Sequence, residues 1–246
     1  MNALILDTET TDATDDRQLI EAAYMRVALT PGNWYVNAVS APFVMRYKPT
    51  APIAFGAMAT HHIVPEDLED CPPHDTFTLP GSVDYLIGHS IDFDWQTIGS
   101  PAHVKRICTL AMARKVWPDT SHTLSALMYM LSDDYAKTRE ELRSAHSAEA
   151  DIDFCHRVLD AIIAKAGPFD SLEALWQFSE ECRVPDTFTF GKHKGEKIAD
   201  VPMDYVMWFL RQPDVDPYLR KALEARVRAT YGVRHPVTEA RTTAGA

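Results

Sequence analysis

The sequence has few cysteines and no long hydrophobic runs, and each absence excludes a class of protein. Its four cysteines lie far apart and form no Cys-x-x-Cys pair, so neither a disulfide framework nor a zinc site is predicted. The longest apolar runs, such as residues 4–6 and 85–88, are far too short to span a membrane. No secretory signal is recognisable before the acidic segment that begins at Asp7. We therefore expect a cytoplasmic protein that has no membrane partner.

Positive charge is also scarce, because Lys and Arg number 24 against 35 Asp and Glu and the net charge is −11. That total argues against a nucleic-acid-binding protein, but the charges are unevenly distributed. Residues 188–246 hold 10 Lys and Arg against 7 Asp and Glu, whereas residues 1–187 hold 14 against 28. A local positive surface near one end is compatible with this distribution. The acidic remainder is compatible with bound divalent cations, which reverse the local field.

The hydrophobic pattern predicts an α/β domain. The predicted strands cover residues 4–6, 19–29, 33–47 as one strand or two, 84–88 and 107–109. The predicted helices cover residues 66–69, 110–117, 123–131, 147–165, 171–182, 205–210 and 216–231. Three strands followed by intermixed helices and strands indicate a mixed sheet flanked by helices.

Breaks in the pattern divide the chain into four parts. The long helix ends at Gly167 and Pro168. A turn between Gly191 and Gly195 joins two short strand-like runs and predicts a hairpin. The predicted parts are a main domain at 1–168, a helix and linker at 169–186, a small α+β C-terminal module at 187–234 and a disordered tail at 235–246.

Four carboxylates stand at the ends of predicted elements or on an inward face. Asp7 and Glu9, two positions apart, share one face of the first strand. Asp94 follows a buried strand, and Asp151 lies on the apolar stripe of the long helix. If one pocket gathers these acids, they repel one another and need cations. Oxygen ligands suit Mg²⁺ or Mn²⁺, and two such ions can clamp a phosphodiester for in-line attack.

His146 precedes Asp151 by five residues. An ordinary imidazole pKa of about 6.5 suits it to accept a proton from a water near neutral pH. Each residue alone has a simpler interpretation: Asp7 as a strand-end cap, Asp94 as a helix N-cap, and His146 as a surface or capping histidine. The combination of the four carboxylates with His146 favours a catalytic site over these separate interpretations.

Three motifs resemble those of the DnaQ-like, or DEDDh, 3′-5′ exonuclease family. The first is Leu-Ile-Leu-Asp-Thr-Glu-Thr-Thr at 4–11, the second is His-Ser-Ile-Asp-Phe-Asp at 89–94, and the third is His-x₄-Asp at 146–151. Segments around 52–63, 107–118 and 187–195 resemble the bacterial exodeoxyribonuclease X group within that family. Ser90 departs from the pattern, because the family usually has Asn at this position.

The resemblance implies an RNase H-like fold with two bound Mg²⁺ (or Mn²⁺) ions. It implies that the metal ligands are Asp7, Glu9, Asp94 and Asp151, and that His146 is the general base. Asp92 competes with Asp94 for the second-motif role, and the position directly after Phe93 favours Asp94. The implied reaction is hydrolysis of the terminal phosphodiester at a 3′ end, releasing nucleoside 5′-monophosphates.

DNA is the predicted substrate, with RNA as the alternative. A catalytically idle nucleic-acid-binding module is a second alternative, disfavoured by the complete acid set, and no protein partner is identifiable. The predicted substrate contacts are Thr8, Thr10, His61, Ser90, Phe93, Lys192 and Lys194. The lysines in the Gly-bounded turn, with Lys197, either contact phosphates or only form a solvated hairpin tip. Tyr205, Trp208 and Phe209 fall at helical spacing, which favours core positions over base stacking.

Overall fold

The computed structural model describes residues 2–232. Two compact units, Met1–Cys182 and Arg183–Ala246, divide the chain. The disordered tail predicted at 235–246 lies outside the described residues. Within residues 2–232, no helix is both long enough and apolar enough to cross a membrane.

A mixed sheet is the centre of the first unit. Its strands are β1 Ala3–Thr10, β2 Leu19–Leu29, β3 Val36–Ala38, β4 Phe43–Arg46, β5 Tyr85–Gly88 and β6 Lys105–Cys108. The order is β3-β2-β1-β5-β6, and β4 also pairs with β2. β1 runs antiparallel to β2 and parallel to β5, which is parallel to β6. The predicted mixed sheet is confirmed, and the segment 33–47 forms two strands.

Nine α-helices lie within residues 2–232. They are α1 Phe55–His61, α2 Asp92–Thr97, α3 Thr109–Val116, α4 Leu124–Met130, α5 Tyr135–Glu141, α6 Ala148–Ala166, α7 Leu172–Cys182, α8 Met203–Phe209 and α9 Pro217–Tyr231. α1, α2 and α5 were not predicted, because each spans two turns or fewer and α5 carries a largely polar sequence. The helix predicted at 66–69 is a 3₁₀ turn at Pro65–Leu68.

The long helix α6 covers one face of the sheet. Its buried stripe, which includes Ile152, Val158 and Ile162, packs in one cluster with Ile5 of β1. Each large aliphatic side chain buried in this way contributes about 1.5–3 kcal/mol. Leu6, the next residue of β1, belongs to a second cluster on the other face. Because strand side chains alternate, Asp7 and Glu9 project from the same face as Ile5, towards α6.

Helix α7 belongs to the first unit. Leu172 and Leu175 pack in the same core as α6, and the buried hydroxyl of Ser179 accepts a hydrogen bond from the backbone N–H of Cys108 at 2.8 Å. The boundary at Cys182 therefore lies beyond the predicted end of the main domain at residue 168.

The second unit has a small core of its own. Phe188, Ile198, Val206 and Leu223 are buried together. The carboxylate of Asp216 caps α9 by accepting hydrogen bonds from two backbone N–H groups, and Pro217 occupies the first helical position. In place of the predicted hairpin strands, the described residues form one antiparallel bridge, Thr187 to Lys197.

Candidate active site

Three carboxylates meet where β1 faces the start of α6. Asp7, Glu9 and Asp151 each place an oxygen atom within 4.8 Å of the other two. Asp7 lies within β1, which continues to Thr10, so it is not a strand-end cap. The pairing of β1 with β2 shifts between Glu9 and Thr10, and such irregularities commonly redirect side chains beside active sites. This oxygen cluster is suited to a divalent metal ion.

Asp94 approaches the cluster from the first turn of α2. It is only 3% exposed, and it accepts a hydrogen bond from the hydroxyl of Thr8 at 2.8 Å. Ile91, not Asp94, is the N-cap of α2, so the capping alternative is wrong. Asp92 forms an ion pair with Arg106 at 2.6 Å. This geometry supports the assignment of the second motif to Asp94.

The acids hold their protons more tightly than ordinary carboxyl groups do. Burial raises the pKa of Asp7 well above its usual value, and the charges of Asp94 and Asp151 raise it further. Burial, with the charge of Asp151, raises the pKa of Glu9 to about 8. Burial also raises the pKa of Asp94 to about 7, although the Thr8 hydrogen bonds oppose this effect. Carboxylates crowded in this way are stabilised by cations.

Glu21 is a fifth acid beside the site that sequence analysis missed. It lies opposite Glu9 in the β1–β2 register and is 4% exposed. One carboxylate oxygen accepts from Arg46 Nε at 2.8 Å, and the other accepts from the backbone N–H of Ala148 at 3.1 Å. Both oxygens therefore have protein partners. Glu21 positions the start of α6, and its charge contributes to the raised pKa of Glu9.

His146 lies two residues before the start of α6 and is exposed. Ser147 is the N-cap of α6, and its side chain accepts a hydrogen bond from Ala150 N, so His146 is not the cap. Burial raises the pKa of Asp151, whereas the charge of His146 and a backbone hydrogen bond from the same residue lower it. The backbone of His146 therefore lies close to the Asp151 carboxylate. Its φ of 66° is in the left-handed region.

A groove of about 320 Å³ lies beside Glu9. Four of the predicted substrate contacts line it: Thr8, Thr10, His61 and Phe93. His61 is 7% exposed, and its Nδ1 accepts from the backbone N–H of Ile63 at 3.0 Å. Ser90 is exposed and is not among the residues that line the groove. Lys192 and Lys194 are exposed in the second unit.

Arg17 contacts Phe93 at the edge of this groove. Sequence analysis did not identify Arg17 as a site residue. Its guanidinium stacks on the Phe93 ring, 4.1 Å from the centroid. It donates hydrogen bonds to the backbone oxygen of Phe93 at 3.2 Å and to the side chains of Gln96 and Thr97 at 2.8 and 2.9 Å. Its charge also lowers the pKa of Asp94, in opposition to burial. Arg17 thus holds both the ring and the backbone of Phe93.

Comparisons with known proteins show that this chain is similar to exonucleases. The chain is 27% identical over 182 residues to exodeoxyribonuclease 10 of Escherichia coli strain K12, which covers 72% of this chain and 80% of that protein. The structure of exonuclease X in complex with 5′ overhanging duplex DNA is similar, with a TM-score of 0.52 and 20% identity over 72% of this chain and 99% of that chain. E. coli exonuclease I in complex with a dT13 oligonucleotide has a TM-score of 0.50 and 15% identity, covering 67% of this chain and 41% of that chain.

The fold is the RNase H-like fold of these exonucleases, as predicted. The chain is similar to exodeoxyribonuclease 10 in sequence and to exonuclease X in fold, and its three motifs resemble those of the DnaQ-like exonucleases. The second unit matches a separate family model, described as "Putative quorum-sensing-regulated virulence factor", over residues 183–221.

Proposed function

We propose that this protein is a metal-dependent 3′-to-5′ exonuclease that hydrolyses terminal phosphodiesters of DNA and releases nucleoside 5′-monophosphates. The observation that carries the proposal is the cluster of Asp7, Glu9 and Asp151 oxygens within 4.8 Å, with buried Asp94 beside it. The similarity to exodeoxyribonuclease 10 supports DNA as the substrate. The cytoplasm stays the predicted compartment.

The four acids fit a pair of Mg²⁺ or Mn²⁺ ions. Oxygens of Asp7, Glu9 and Asp151 converge, and burial raises the pKa values of all four acids. Hard cations prefer oxygen ligands. Asp7, Glu9, Asp94 and Asp151 would hold the ions. When bound, such ions activate the attacking water and stabilise the leaving oxygen.

His146 supplies the proton acceptor in this proposal. It is exposed, so solvent can carry the proton away, and it lies beside Asp151. A neutral imidazole in this position can accept the proton of the attacking water.

The groove beside Glu9 holds the terminal nucleotide. Phe93 supplies an aromatic wall held by Arg17, and His61 and Thr10 line the same groove. Because the Thr8 hydroxyl donates to Asp94, Thr8 can accept hydrogen bonds from the substrate but has no side-chain proton to offer. Lys192 and Lys194 are assigned to contacts with the phosphate backbone.

Two acids on α6 provide a matched test. Asp151 belongs to the cluster, whereas the Asp153 side chain is 61% exposed and lies 3.9 Å from Arg157. Asp151→Asn should remove nearly all Mg²⁺-dependent release of mononucleotides from 3′-labelled DNA, and Asp153→Asn should leave it near the wild-type rate. A parallel RNA substrate distinguishes the two nucleic acids. Near-normal cleavage by a folded Asp151→Asn protein would show that the site is wrongly assigned.

A further inference from the structure

The second unit exposes two large aromatic side chains. Phe190 is 48% exposed and Trp208 is 51% exposed. Phe209 connects them, with ring centroids 5.8 Å from Phe190 and 6.0 Å from Trp208. The expectation that Trp208 lies in the core is therefore wrong. Single exposed apolar residues need no explanation, but joined rings form a patch.

The patch rests on a rigid base. Tyr205 and Phe209 both pack against the buried Phe188 ring, at 5.8 and 5.6 Å. Tyr205 also contacts the Trp208 ring at 5.3 Å and the His193 ring at 4.4 Å. Rings fixed in this way lose little conformational freedom when a ligand stacks on them.

A lysine turn adjoins the patch. His193 is 7% exposed and pairs with Glu196 at 3.0 Å, which fixes the middle of the turn. Lys192 and Lys194, on either side of His193, are exposed. Within residues 2–232, no carboxylate forms an ion pair with Lys192, Lys194 or Lys197. Their positive charge is thus available to an anionic partner.

We propose that Phe190, Trp208, Lys192 and Lys194 form a binding surface for single-stranded DNA without sequence preference. The rings stack on unpaired bases and the lysines contact the phosphates. Aromatic rings beside unpaired lysines complement both parts of a nucleotide, whereas an apolar protein partner gives the lysines no counter-charge. The choice of DNA rests on the proposed function.

The test is equilibrium binding of the full-length protein to a fluorescein-labelled single-stranded oligothymidylate. EDTA keeps the substrate intact, so the result does not depend on cleavage. Phe190→Ala and Trp208→Ala should each weaken binding by about 5- to 150-fold, the range for loss of one base–aromatic stack. The matched control is Trp34→Ala, which removes a 53% exposed ring from the first unit and should leave affinity unchanged.

The lysines are tested by salt dependence. Lys192→Gln and Lys194→Gln should each lower the slope of log affinity against log salt by about 0.7. Lys221→Gln, an exposed change on α9, should not. A blunt-ended duplex, whose bases are already stacked, should bind the wild-type and Trp208→Ala proteins almost equally.

The outcomes separate this surface from the proposed activity. Unchanged single-strand affinity in both aromatic variants would overturn the surface, even if the enzyme cleaves DNA normally. Equal losses on single-strand and duplex ligands would overturn base stacking. A wild-type protein that binds single strands through these residues but does not cleave them in Mg²⁺ would count against the activity alone. Thermal melting of each variant checks its fold.

Discussion

Among the residues that the structure describes, the two units differ in the burial of charged side chains that have no partner of opposite charge. In the first unit, Asp7, Glu9 and Asp151 are half-buried and Asp94 is buried, and their pKa values are raised. In the second unit, the lysines of the turn at 191–195 are exposed. Burial removes the hydration of a charge and costs free energy, whereas an exposed lysine keeps its water. A cation would therefore favour the ionised form of the acids, and the exposed lysines keep their charge accessible to a polyanion.

The two proposals place the chemistry in the first unit and the affinity for single-stranded DNA in the second. Substitutions among the acids and their supports should change turnover and stability. Substitutions in the lysine turn should change binding and its dependence on salt. The predictions below concern the acids of the first unit and the residues that support them. The binding experiments above test the second unit.

Among the predictions that follow, the largest effect is expected at His146. Loss of a positioned proton acceptor should slow turnover by roughly 10²–10⁴-fold. His146→Asn is the suitable change, because Asn tolerates the left-handed φ of 66° better than Ala does. Single-turnover rates across a pH series measure the effect. The control is His103→Asn, at another exposed histidine, which should retain the wild-type rate. If the pH–rate profile of His146→Asn kept the same acidic limb as that of wild type, His146 would not be the general base.

The cost of crowding the acids should appear as a dependence of stability on pH. Glu9 has an ordinary pKa of 4.5, and burial raises it to about 8 in the folded protein. Between these values the folded state retains a proton that the unfolded state has lost, so the contribution to stability is complete below about pH 4.5 and is lost as the pH rises through about 8. Glu9→Gln removes this dependence because Gln does not titrate.

In EDTA, Glu9→Gln should therefore be more stable than wild type at pH 8, by roughly 1–3 kcal/mol, and nearly equal to it at pH 4.5. Mg²⁺ should reverse the order at pH 8, because wild type binds the ion more tightly. Thermal melting with and without Mg²⁺ measures both effects, and Glu66→Gln, an exposed change, is the control. A difference that does not vary with pH would show that Glu9 is not buried against other acids.

The sequence was sufficient to predict the placement of residues that follow a local pattern. Asp7 and Glu9 share a strand face, and the stripe on α6 turns Asp151 inward. Both patterns can be recognised before any strand pairing is known. Glu21 could not be found in this way. It lies in an apolar strand, and only the antiparallel register places it opposite Glu9. No local signal encodes that register.

The contacts of Arg17 with α2 also could not be predicted from the sequence. Arg17 follows a polar, acid-rich stretch that resembles an ordinary surface loop, and its partners on α2 lie 76 to 80 positions away. α5 was missed for a related reason, since a short polar helix carries no hydrophobic period. Long-range contacts of polar side chains are therefore the part of the site that the structure adds.

A moderate effect is expected when Arg17 is replaced. Arg17→Met removes the stacking on Phe93 and the hydrogen bonds to α2, which should lower the free energy of unfolding by about 1–3 kcal/mol and raise KM more than it lowers kcat. Arg17→Lys keeps the charge but not the planar fork, so it should restore little if geometry matters. Urea unfolding and steady-state kinetics on a short oligonucleotide measure these effects. Full recovery by Arg17→Lys would show that only the charge near Asp94 is required.

The smallest effect is expected at Ser90, in the turn between β5 and α2. Its φ is 75°, a conformation that Asn adopts more readily than Ser. Ser90→Asn should therefore stabilise the protein by roughly 0.5 kcal/mol, or about 1–2 °C in Tm. Ser100, with φ 55° just after α2, provides the matched control, and Ser100→Asn should give a similar gain. If Ser90 contacts substrate, as predicted, Ser90→Asn should also alter KM and Ser100→Asn should not. Identical kinetics in the two variants would show that Ser90 affects only the backbone conformation and does not contact substrate.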